Sequence, residues 1–528
     1  MEQKRRRLPL GIQSFEEIIK DGYLYVDKTD LVWKIANGGK FNYLSRPRRF
    51  GKSLLVDTLR CYFEGRKDLF EGLKIMELEK DWVQYPVIRL DMSCGGASEK
   101  SLRSYLDDAF SKYERTYDIN KAPEASFATR FNNIIETACT KTGQPTVILI
   151  DEYDSPLQHS WHTPEHEICT AMYREVFSVL KAATQSEKFV FITGITKFTQ
   201  ISLFSVLNNL NNISFYPAEY APVCGITVQE TIDNFQPEIE NMAKQNGLTF
   251  DGAVDLLKAN YDGYHFSRKN MVDVFNPFSL INALAQGEVS NFWIASGATS
   301  MLPKFVDDME LRMKDFENTY ILRNILESSD VTGGGAELFM YQSGYLTIKG
   351  CDESGYTLGF PNAEVRQALY HVVIPALTMS SQSIVVSAQA KLLRYMNNCM
   401  LPEAMQTLKA LISDVPYSNK KLASMDMEER YRLIISSLFH AVGLGVEVER
   451  MMGNGRIDVI ARTSRYTYVI ELKLTKNGGL KAAEQQIKEN QYIEPFKADG
   501  KQIVALAIEL EDLGKGLLDW AVVNDSNN

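Results

Sequence analysis

The alternation of short apolar runs with longer helical patterns over the first 220 residues constrains the fold more than any other feature. This order is typical of a parallel sheet that is covered by helices on both faces. We therefore predict an α/β domain over residues 1–225. Its four strand-length apolar runs lie at residues 40–44, 85–93, 145–154 and 188–193.

Two further parts follow this domain, because 528 residues exceed what one ordinary core accommodates. Residues 226–425 have mainly helical patterns and are predicted to form a helical lid or connector. Residues 426–528 begin with an amphipathic helix and continue with short strands and a polar helix, which predicts a second α/β domain. The apolar positions of its first helix recur at three- and four-residue spacing, at Tyr431, Ile434, Ile435, Leu438 and Val442.

Composition excludes several classes of protein. The apolar fraction of 45% argues against disorder, and no apolar run approaches the ~18–20 residues of a membrane span. The basic cluster near residue 5 is followed by no continuous apolar segment, so we expect no secretory signal, and the seven cysteines form no C-x-x-C pair. We therefore predict a cytoplasmic protein with no membrane partner, disulfide framework or zinc site. The net charge of −10 restricts any nucleic-acid site to a local basic region.

The stretch "YLSRPRRFGKSLL" at residues 43–55 is similar to a phosphate-binding P-loop, with a predicted strand before it and a predicted helix after it. The usual pattern, G-x-x-x-x-G-K-[ST], has glycine where this chain has Arg46. Pro47 fixes its own φ and favours an extended Arg46. The loop is therefore predicted to take its shape from proline.

The residues of this loop have the chemistry needed to hold a nucleotide. Gly51 permits close backbone approach, Lys52 reaches the β- and γ-phosphates, and the Ser53 hydroxyl ligates Mg²⁺. Arg48 and Arg49 add positive charge beside them. The loop therefore predicts ATP and Mg²⁺ as cofactors.

A second motif, "TVILIDEYD", places Asp151 and Glu152 at the carboxyl end of a buried strand, where open α/β sheets build ligand sites. Asp151 is predicted to hold the magnesium shell and Glu152 to polarise the attacking water. Thr193 ends the next strand and is predicted to sense the γ-phosphate. The alternative is a chance Gly-Lys-Ser sequence and an Asp-Glu helix cap. The order of both motifs in one α/β pattern favours nucleotide binding.

Several stretches together resemble the AAA-ATPase-like proteins common in gut anaerobes, a bacterial family, over roughly residues 5–285. They include "LPLGIQSFEEI", "YLYVDKTDLV", "FNYLSRPRRFGKSLL", "ILIDEYDSPL" and "FITGITKFTQISLFSVLNNL". The resemblance implies an additional-strand P-loop ATPase core related to AAA ATPases, in which R-P-R-R-F-G-K-S is the usual loop. It does not identify an arginine finger; Arg48, Arg49 and Lys197 are candidates.

The C-terminal part contains two strand-like runs, "RIDVIAR" and "YTYVIELKL", joined by a few polar residues. A turn centred between residues 464 and 465 would place Asp458 directly opposite Glu471, with Lys473 on the same face. Opposed carboxylates repel each other unless a cation lies between them. Oxygen ligands from the two acids suit Mg²⁺, and Mn²⁺ is an alternative; Lys473 can stabilise a phosphate.

This D-x(12)-E-x-K pattern resembles the PD-(D/E)XK nuclease superfamily over about residues 426–510. The resemblance implies that Asp458, Glu471 and Lys473 are catalytic and that the two acids bind metal. It adds Glu449 as an accessory metal ligand and Gln486 as an accessory catalytic residue. The alternative is an ion-paired surface hairpin. The seven basic residues between positions 450 and 483, against two acids, favour binding to a phosphate backbone. They are Arg450, Arg456, Arg462, Arg465, Lys473, Lys476 and Lys481.

The sequence thus predicts an ATP-binding protein, an ATPase, whose nucleotide state controls a metal-dependent nuclease domain acting on DNA or RNA. A role in defence or mobile-element biology fits by analogy only. The alternatives are an ATP-dependent switch that binds a nucleic-acid or protein partner without cleaving it, and an ATPase whose nuclease-like domain is structural. The nucleotide acts either within one chain or between chains of a homo-oligomer, and both alternatives stay open.

Overall fold

The computed structural model describes residues 7–120, 124–161, 163–196, 210–215, 218–268, 272–295, 316–328, 335–378, 382–413, 426–453, 455–513 and 516–524. The chain forms two compact units. The first comprises residues 1–298 and 315–362, and the second comprises residues 299–314 and 363–528. The division into three parts at residues 225 and 425 stays a prediction. Among the described helices, none has both the length and the apolar character needed to cross a bilayer.

The first unit is built on a five-stranded parallel sheet. Its strands are β1 (Phe41–Ser45), β2 (Val87–Asp91), β3 (Thr146–Asp151), β4 (Glu187–Gly194) and β5 (Asn211–Asn212), in the order β2-β3-β4-β1-β5. The predicted parallel sheet is confirmed. β4 lies between β1 and β3, as in the additional-strand P-loop core implied by the resemblance. Every residue of β3 is buried, because its continuous apolar run meets helices on both faces.

Helices surround this sheet and continue beyond it within the same unit. Helix Val228–Asn246 begins with a capping box of Thr227 and Glu230, and helix Pro277–Gln286 begins with an Asn276 cap followed by proline. The described α-helices are Phe15–Lys20, Thr29–Ala36, Lys52–Phe63, Ile75–Leu78, Glu99–Thr116, Phe127–Thr142, Ser155–Ser160, His166–Phe177, Val179–Ala182, Val228–Asn246, Phe250–Tyr261, Pro277–Gln286, Phe292–Ala295, Arg323–Ser328 and Gly335–Ser343. The 3₁₀ helices are Lys67–Leu69, Met92–Gly95, Thr184–Ser186, Ala218–Tyr220 and Phe316–Asn318.

A small helical core and a second sheet complete the first unit. The apolar faces of helices Val228–Asn246, Phe250–Tyr261 and Pro277–Gln286 share one buried cluster, which also receives Leu24 from the N-terminal segment. The second sheet is antiparallel, with β6 (Thr319–Leu322), β7 (Thr347–Cys351) and β8 (Gly355–Gly359) in the order β6-β8-β7. The start of the predicted helical connector therefore belongs to the first unit.

The second unit contains a five-stranded mixed sheet. Its strands are β9 (Gly445–Met452), β10 (Gly455–Arg462), β11 (Tyr466–Leu474), β12 (Gln502–Leu510) and β13 (Leu517–Val522), in the order β13-β12-β11-β10-β9. β11 and β12 are parallel, and the other pairs are antiparallel. The described helices are Ala363–Thr378, Gln382–Asn397, Leu401–Ser413, Met427–Ala441 and Gly479–Glu489, with 3₁₀ helices Thr475–Asn477 and Glu494–Phe496. The predicted apolar face of helix Met427–Ala441 is confirmed, since all five positions are buried.

Candidate nucleotide and metal sites

The loop between β1 and helix Lys52–Phe63 has the backbone of a phosphate site. Gly51 is the helix N-cap and is left-handed, with φ of 84°, and Arg49 is also left-handed, with φ of 70°. These conformations bring the chain sharply round from the strand into the first helical turn. The free N–H groups of that turn and the positive end of the helix dipole favour an anion there.

Lys52 is held across this loop. Its side chain is 5% exposed, and its Nζ donates to the carbonyl oxygens of Arg46 and Pro47, each at 3.1 Å. The ammonium group is therefore positioned by backbone oxygens and not by a carboxylate. Phosphate oxygens are stronger acceptors than these carbonyls, so a bound nucleotide could take over the lysine's protons.

Arg46, which replaces the expected glycine, has a structural environment. It is 1% exposed, and its guanidinium lies 4.2 Å from the centre of the Phe266 ring. Burial lowers its pKa to about 10. The guanidinium donates to four backbone carbonyls, those of Ser45 (2.9 Å), Ser214 (3.0 Å), Tyr220 (3.2 Å) and Ala221 (3.3 Å). Arg46 thus links the end of β1 by hydrogen bonds to the segment around residues 214–221, about 170 residues later in the chain.

The apolar side of the loop packs against distant residues of the same unit. Phe50 makes edge contacts with Tyr264 at 4.7 Å and Phe266 at 5.4 Å between ring centres. Pro47 lies against Gly344, where an added Cβ would be 2.5 Å from the Cβ of the proline. Gly344 is also left-handed, with φ of 88°, so only glycine suits both the space and the backbone there.

The predicted magnesium residues meet beside the loop. Ser53 forms a side-chain hydrogen bond with Asp151, which is 1% exposed at the end of β3. Burial raises the pKa of Asp151 to about 6, and the serine hydrogen bond and the charge of Lys52 oppose this rise. Glu152 is left-handed, with φ of 46°, and lines the same cleft as Lys52. The hydroxyl and the carboxylate that would share a Mg²⁺ ion are therefore neighbours.

Thr193 lies apart from the cleft, whereas two of the candidate arginine-finger residues line it. Thr193 is fully buried at the end of β4, and its hydroxyl has no hydrogen-bond partner among the described residues. It is not among the residues that line the cleft. Arg48 and Arg49 do line it, and the guanidinium of Arg49 lies 5.0 Å from the centre of the Phe278 ring. Lys197 lies outside the described residues.

A buried polar network at the ends of β3 and β4 was missed by sequence reasoning. One oxygen of Asp154 accepts from the backbone N–H groups of Ile195 (3.0 Å) and Thr196 (2.6 Å), and from the amide of Gln158 (2.5 Å). The amide oxygen of Gln158 in turn accepts from Arg48 at 3.5 Å. The signal was present, because "DEYD" places a second acid three residues after Asp151.

The loop opens into a cleft of about 360 Å³. Its walls come from the loop itself, from residues 9–13 and from the start of helix Pro277–Gln286. An apolar cavity of about 110 Å³ shares Gly51, Leu54 and Pro277 with this cleft. A charged phosphate region and an apolar recess are therefore contiguous, as a nucleotide with its base requires.

In the second unit, the register of the β10–β11 hairpin is confirmed. Val459 pairs with Ile470, and each following pair to the turn keeps this register, which puts Asp458 opposite Glu471. On the other side of β10, Ile457 pairs with Arg450 and Val459 with Val448, so Glu449 lies across from Asp458, although Glu449 is left-handed, with φ of 54°, and interrupts the regular pairing. Residues directly opposite each other point to one face of a sheet. Asp458 therefore faces Glu471, and Arg432 contacts the carboxylates of both Asp458 and Glu449. Glu449, Asp458 and Glu471 form a row across three strands, called the carboxylate row below.

The two central acids are deeply buried. Asp458 is 3% exposed, and its Oδ2 accepts from the backbone N–H of Leu472 at 2.9 Å. Burial raises the pKa of Asp458, despite this hydrogen bond. Glu471 is 1% exposed, and its Oε1 accepts from Lys473 at 2.9 Å. Burial and then the charge of Asp458 raise the pKa of Glu471 to about 7.

Helix Met427–Ala441 supplies two residues that sequence reasoning missed. Arg432 NH1 lies 3.2 Å from Asp458 Oδ1, and Glu428 Oε1 lies 3.8 Å from Lys473 Nζ. The two are one helical turn apart and so share a face. Their acidic and basic side chains resemble an ordinary solvent-facing stripe in the sequence, and only the fold shows that this stripe faces the acids.

Gln486 contacts the row only indirectly in the described structure. Its amide donates to the Tyr492 hydroxyl at 3.0 Å, and this hydroxyl donates to the carbonyl oxygen of Arg456 at 2.8 Å. Helix Gly479–Glu489 thus supports the backbone of β10 beside Asp458. A direct catalytic role for Gln486 stays a prediction.

The donor set of the row fits a hard divalent cation. Glu471 Oε2 is buried and has no hydrogen-bond partner among the described residues, which leaves its lone pairs available. Among those residues, no group of three or more His, Cys, Asp or Glu side chains is close enough to ligate one ion. A cation at Asp458 and Glu471 would therefore keep several water ligands, as Mg²⁺ commonly does.

Two solved structures align with the chain at low similarity. The Aeropyrum pernix ORC1 protein in complex with DNA gives a TM-score of 0.24 at 11% identity, and the alignment covers 65% of this chain and 90% of that chain. CDC6p from Pyrobaculum aerophilum gives a TM-score of 0.24 at 11% identity, with 65% of this chain and 96% of that chain covered. At these TM-scores neither alignment supports an argument.

Sequence comparison is more informative. A protein of Azotobacter chroococcum mcd 1, described as an uncharacterized protein in the vnfD 5' region, is 30% identical over 531 residues, which span 98% of this chain and 99% of that protein. The family model described as predicted AAA-ATPase matches residues 9–204, and that of the PD-(D/E)XK nuclease superfamily matches residues 426–514. Both resemblances are confirmed, and the chain belongs to the family of predicted AAA-ATPases and carries a C-terminal PD-(D/E)XK nuclease superfamily domain.

Proposed function

We propose that the protein binds and hydrolyses ATP in the cytoplasm and that its nucleotide state controls metal-dependent cleavage of DNA or RNA by the C-terminal domain. One observation supports this most directly. The same chain combines a P-loop cleft beside Ser53 and Asp151 with a buried carboxylate pair beside Lys473. Defence against foreign nucleic acid, or mobile-element biology, is a setting in which such coupling would be useful.

At the nucleotide site, the first turn of helix Lys52–Phe63 receives the β- and γ-phosphates. Lys52 exchanges its two loop carbonyls for phosphate oxygens. Ser53 and Asp151 hold Mg²⁺, which when bound neutralises charge that develops on the phosphates. Glu152, which lines the cleft, orients the attacking water. The base occupies the contiguous apolar cavity, whose walls include Val26, Cys224 and Ile226.

At the nuclease site, Asp458 and Glu471 hold Mg²⁺ or Mn²⁺, which when bound activates water and polarises the scissile phosphate. Lys473 donates to Glu471 at 2.9 Å, and its charge would stabilise the same phosphate. Glu449 completes the carboxylate row, and its contact with Arg456 places a half-exposed guanidinium at the rim. Arg450 and Arg462 both pair with Glu447, at 3.1 and 2.6 Å, and two arginines against one acid leave a net positive charge that attracts the nucleic-acid backbone.

A switch that binds a partner without cleaving it is the second candidate. The observation in its favour is that both central acids already have cationic partners, Arg432 for Asp458 and Lys473 for Glu471. Such neutralised pairs can also be purely structural. In that case the C-terminal domain would dock a nucleic-acid or protein partner under the control of ATP.

Cleavage assays on the full-length chain distinguish the two functions. Single- and double-stranded DNA and RNA are incubated with Mg²⁺ or Mn²⁺ and with ATP, ADP or no nucleotide, and EDTA is the metal control. Asp458→Ala and Glu471→Ala should each abolish cleavage, and Lys52→Ala should remove its dependence on nucleotide. Absence of cleavage of all four substrates in every nucleotide state would favour the switch, and equal cleavage in all states would refute the coupling.

A further inference from the structure

Arg432 joins two members of the carboxylate row. It is 9% exposed, and its NH1 lies 3.2 Å from Asp458 Oδ1 while its NH2 lies 2.8 Å from Glu449 Oε1. A guanidinium presents its N–H groups as a rigid fork and can therefore hold two carboxylates at once. One end of the row is thus balanced by a built-in cation.

The other end of the row is only partly satisfied. Glu471 Oε1 accepts from Lys473, whereas Glu471 Oε2 is buried and has no hydrogen-bond partner among the described residues. Buried carboxylate oxygens are normally satisfied. Glu471 and Asp458 lie across from each other in the β10–β11 register, so a cation between their carboxylates would satisfy this oxygen.

Such a cation meets a competitor at Asp458. Asp458 Oδ2 already accepts from the N–H of Leu472 at 2.9 Å, so Oδ1 is the oxygen that can be given to a metal. Arg432 occupies that oxygen. The guanidinium and a metal ion would bring two positive charges to the same oxygen, so they compete for it.

We infer that Arg432 is the resident counter-ion of Asp458 in the metal-free site, and that a divalent cation binds Asp458 and Glu471 by displacing it. This inference rests on the proposed nuclease function. Arg432 keeps its contact with Glu449 after displacement and so remains beside the site. The affinity for metal is then set by competition with an internal cation as well as by the acids themselves.

Arg456 is a matched control for Arg432. Its NH1 lies 2.9 Å from the same oxygen of Glu449, but the described contacts of its guanidinium do not include Asp458. Its side chain is 49% exposed, so its ion pair is screened by water. Loss of either arginine removes one positive charge from Glu449, and only loss of Arg432 frees Asp458 Oδ1.

The test is Mn²⁺ binding to the full-length protein without nucleotide or nucleic acid, measured at pH 8 by the electron paramagnetic resonance signal of free Mn²⁺. Parent protein, Arg432→Ala, Arg432→Gln and Arg456→Ala are compared, and Asp458→Ala defines the contribution of this site. Both Arg432 variants should bind Mn²⁺ about tenfold or more tightly than the parent, because they lack the buried ion pair with Asp458. Arg456→Ala should change the affinity by less than about threefold.

Three outcomes would contradict the displacement of Arg432 by metal. If Asp458→Ala removes Mn²⁺ binding but both Arg432 variants bind with the affinity of the parent or more weakly, the inference is wrong and the metal site stands. If Arg456→Ala tightens binding as much as Arg432→Ala, general charge and not displacement explains the effect, and the inference also fails. If no protein binds Mn²⁺ in a way that depends on Asp458, the proposed nuclease site and the inference fall together. Thermal unfolding of each variant confirms that it is folded.

Discussion

Arg46→Gly restores the usual glycine of the P-loop pattern, and we expect this change to damage the protein. The arginine donates to four backbone carbonyls, and at most three of these oxygens lose their donor with it, because Tyr220 O also accepts from the N–H of Val223 at 3.1 Å. Each buried acceptor that loses its partner costs about 1–3 kcal/mol. Loss of the contact with Phe266 costs about 1–2 kcal/mol more, because this cation–π pair is desolvated.

One term opposes these losses. The pKa of Arg46 falls to about 10 because its charge is buried, and removing that charge recovers roughly 3 kcal/mol at 1.36 kcal/mol per pKa unit. Glycine also adds about 1 kcal/mol of backbone entropy to the unfolded chain. The losses exceed the recovery, so we expect Arg46→Gly to destabilise the first unit by on the order of 4 kcal/mol.

Hydrogen exchange followed by mass spectrometry measures this effect locally. Peptides that cover residues 41–52 and 210–225 should lose protection in Arg46→Gly, and ATP should bind more weakly because the loop is no longer anchored. Arg46→Lys is the control, since it keeps the charge but cannot reach all four carbonyls, and its effect should be intermediate. Unchanged protection together with tighter ATP binding in Arg46→Gly would refute the structural role of Arg46.

Three further predictions concern the first unit. Lys52→Ala should abolish or nearly abolish ATP binding, whereas Glu152→Gln should retain binding and slow phosphate release, which equilibrium binding and a phosphate assay separate. Val26→Trp should fill the apolar cavity and weaken ATP binding without weakening tripolyphosphate binding; equal loss of both ligands would place the base elsewhere. Glu187 is 4% exposed, neither of its carboxylate oxygens has a hydrogen-bond partner among the described residues, and burial raises its pKa to about 8. Because the folded state holds this proton more tightly than the unfolded state, stability should fall as pH rises from about 4.5 to 8, and Glu187→Gln should remove that part of the fall in urea unfolding.

Local patterns predicted those features whose determinants are close in sequence. The strands of the parallel sheet and the helix after the P-loop follow from continuous and periodic apolarity. The register of the β10–β11 hairpin was predicted by assuming a turn centred between residues 464 and 465. Because side chains alternate between the two faces of a strand, few registers put Asp458 and Glu471 on one face. The roles of Arg46 and Arg432 could not be predicted, since three of the four carbonyl partners of Arg46 lie at residue 214 or beyond and those of Arg432 lie on two strands that follow it. A charged residue next to an apolar helical stripe has the same pattern whether it faces water or a buried acid.

The packing of Pro47 against Gly344 has a consequence for the order of events during synthesis. The P-loop is made early, but the residues that hold it in shape include Phe266 and Gly344, far downstream. Contacts between such distant residues close large loops and form late. Until residue 344 has been made, the P-loop therefore lacks the contact between Pro47 and Gly344 that holds it in shape. We therefore expect a chain that ends before residue 344 to bind ATP more weakly than one with the whole first unit.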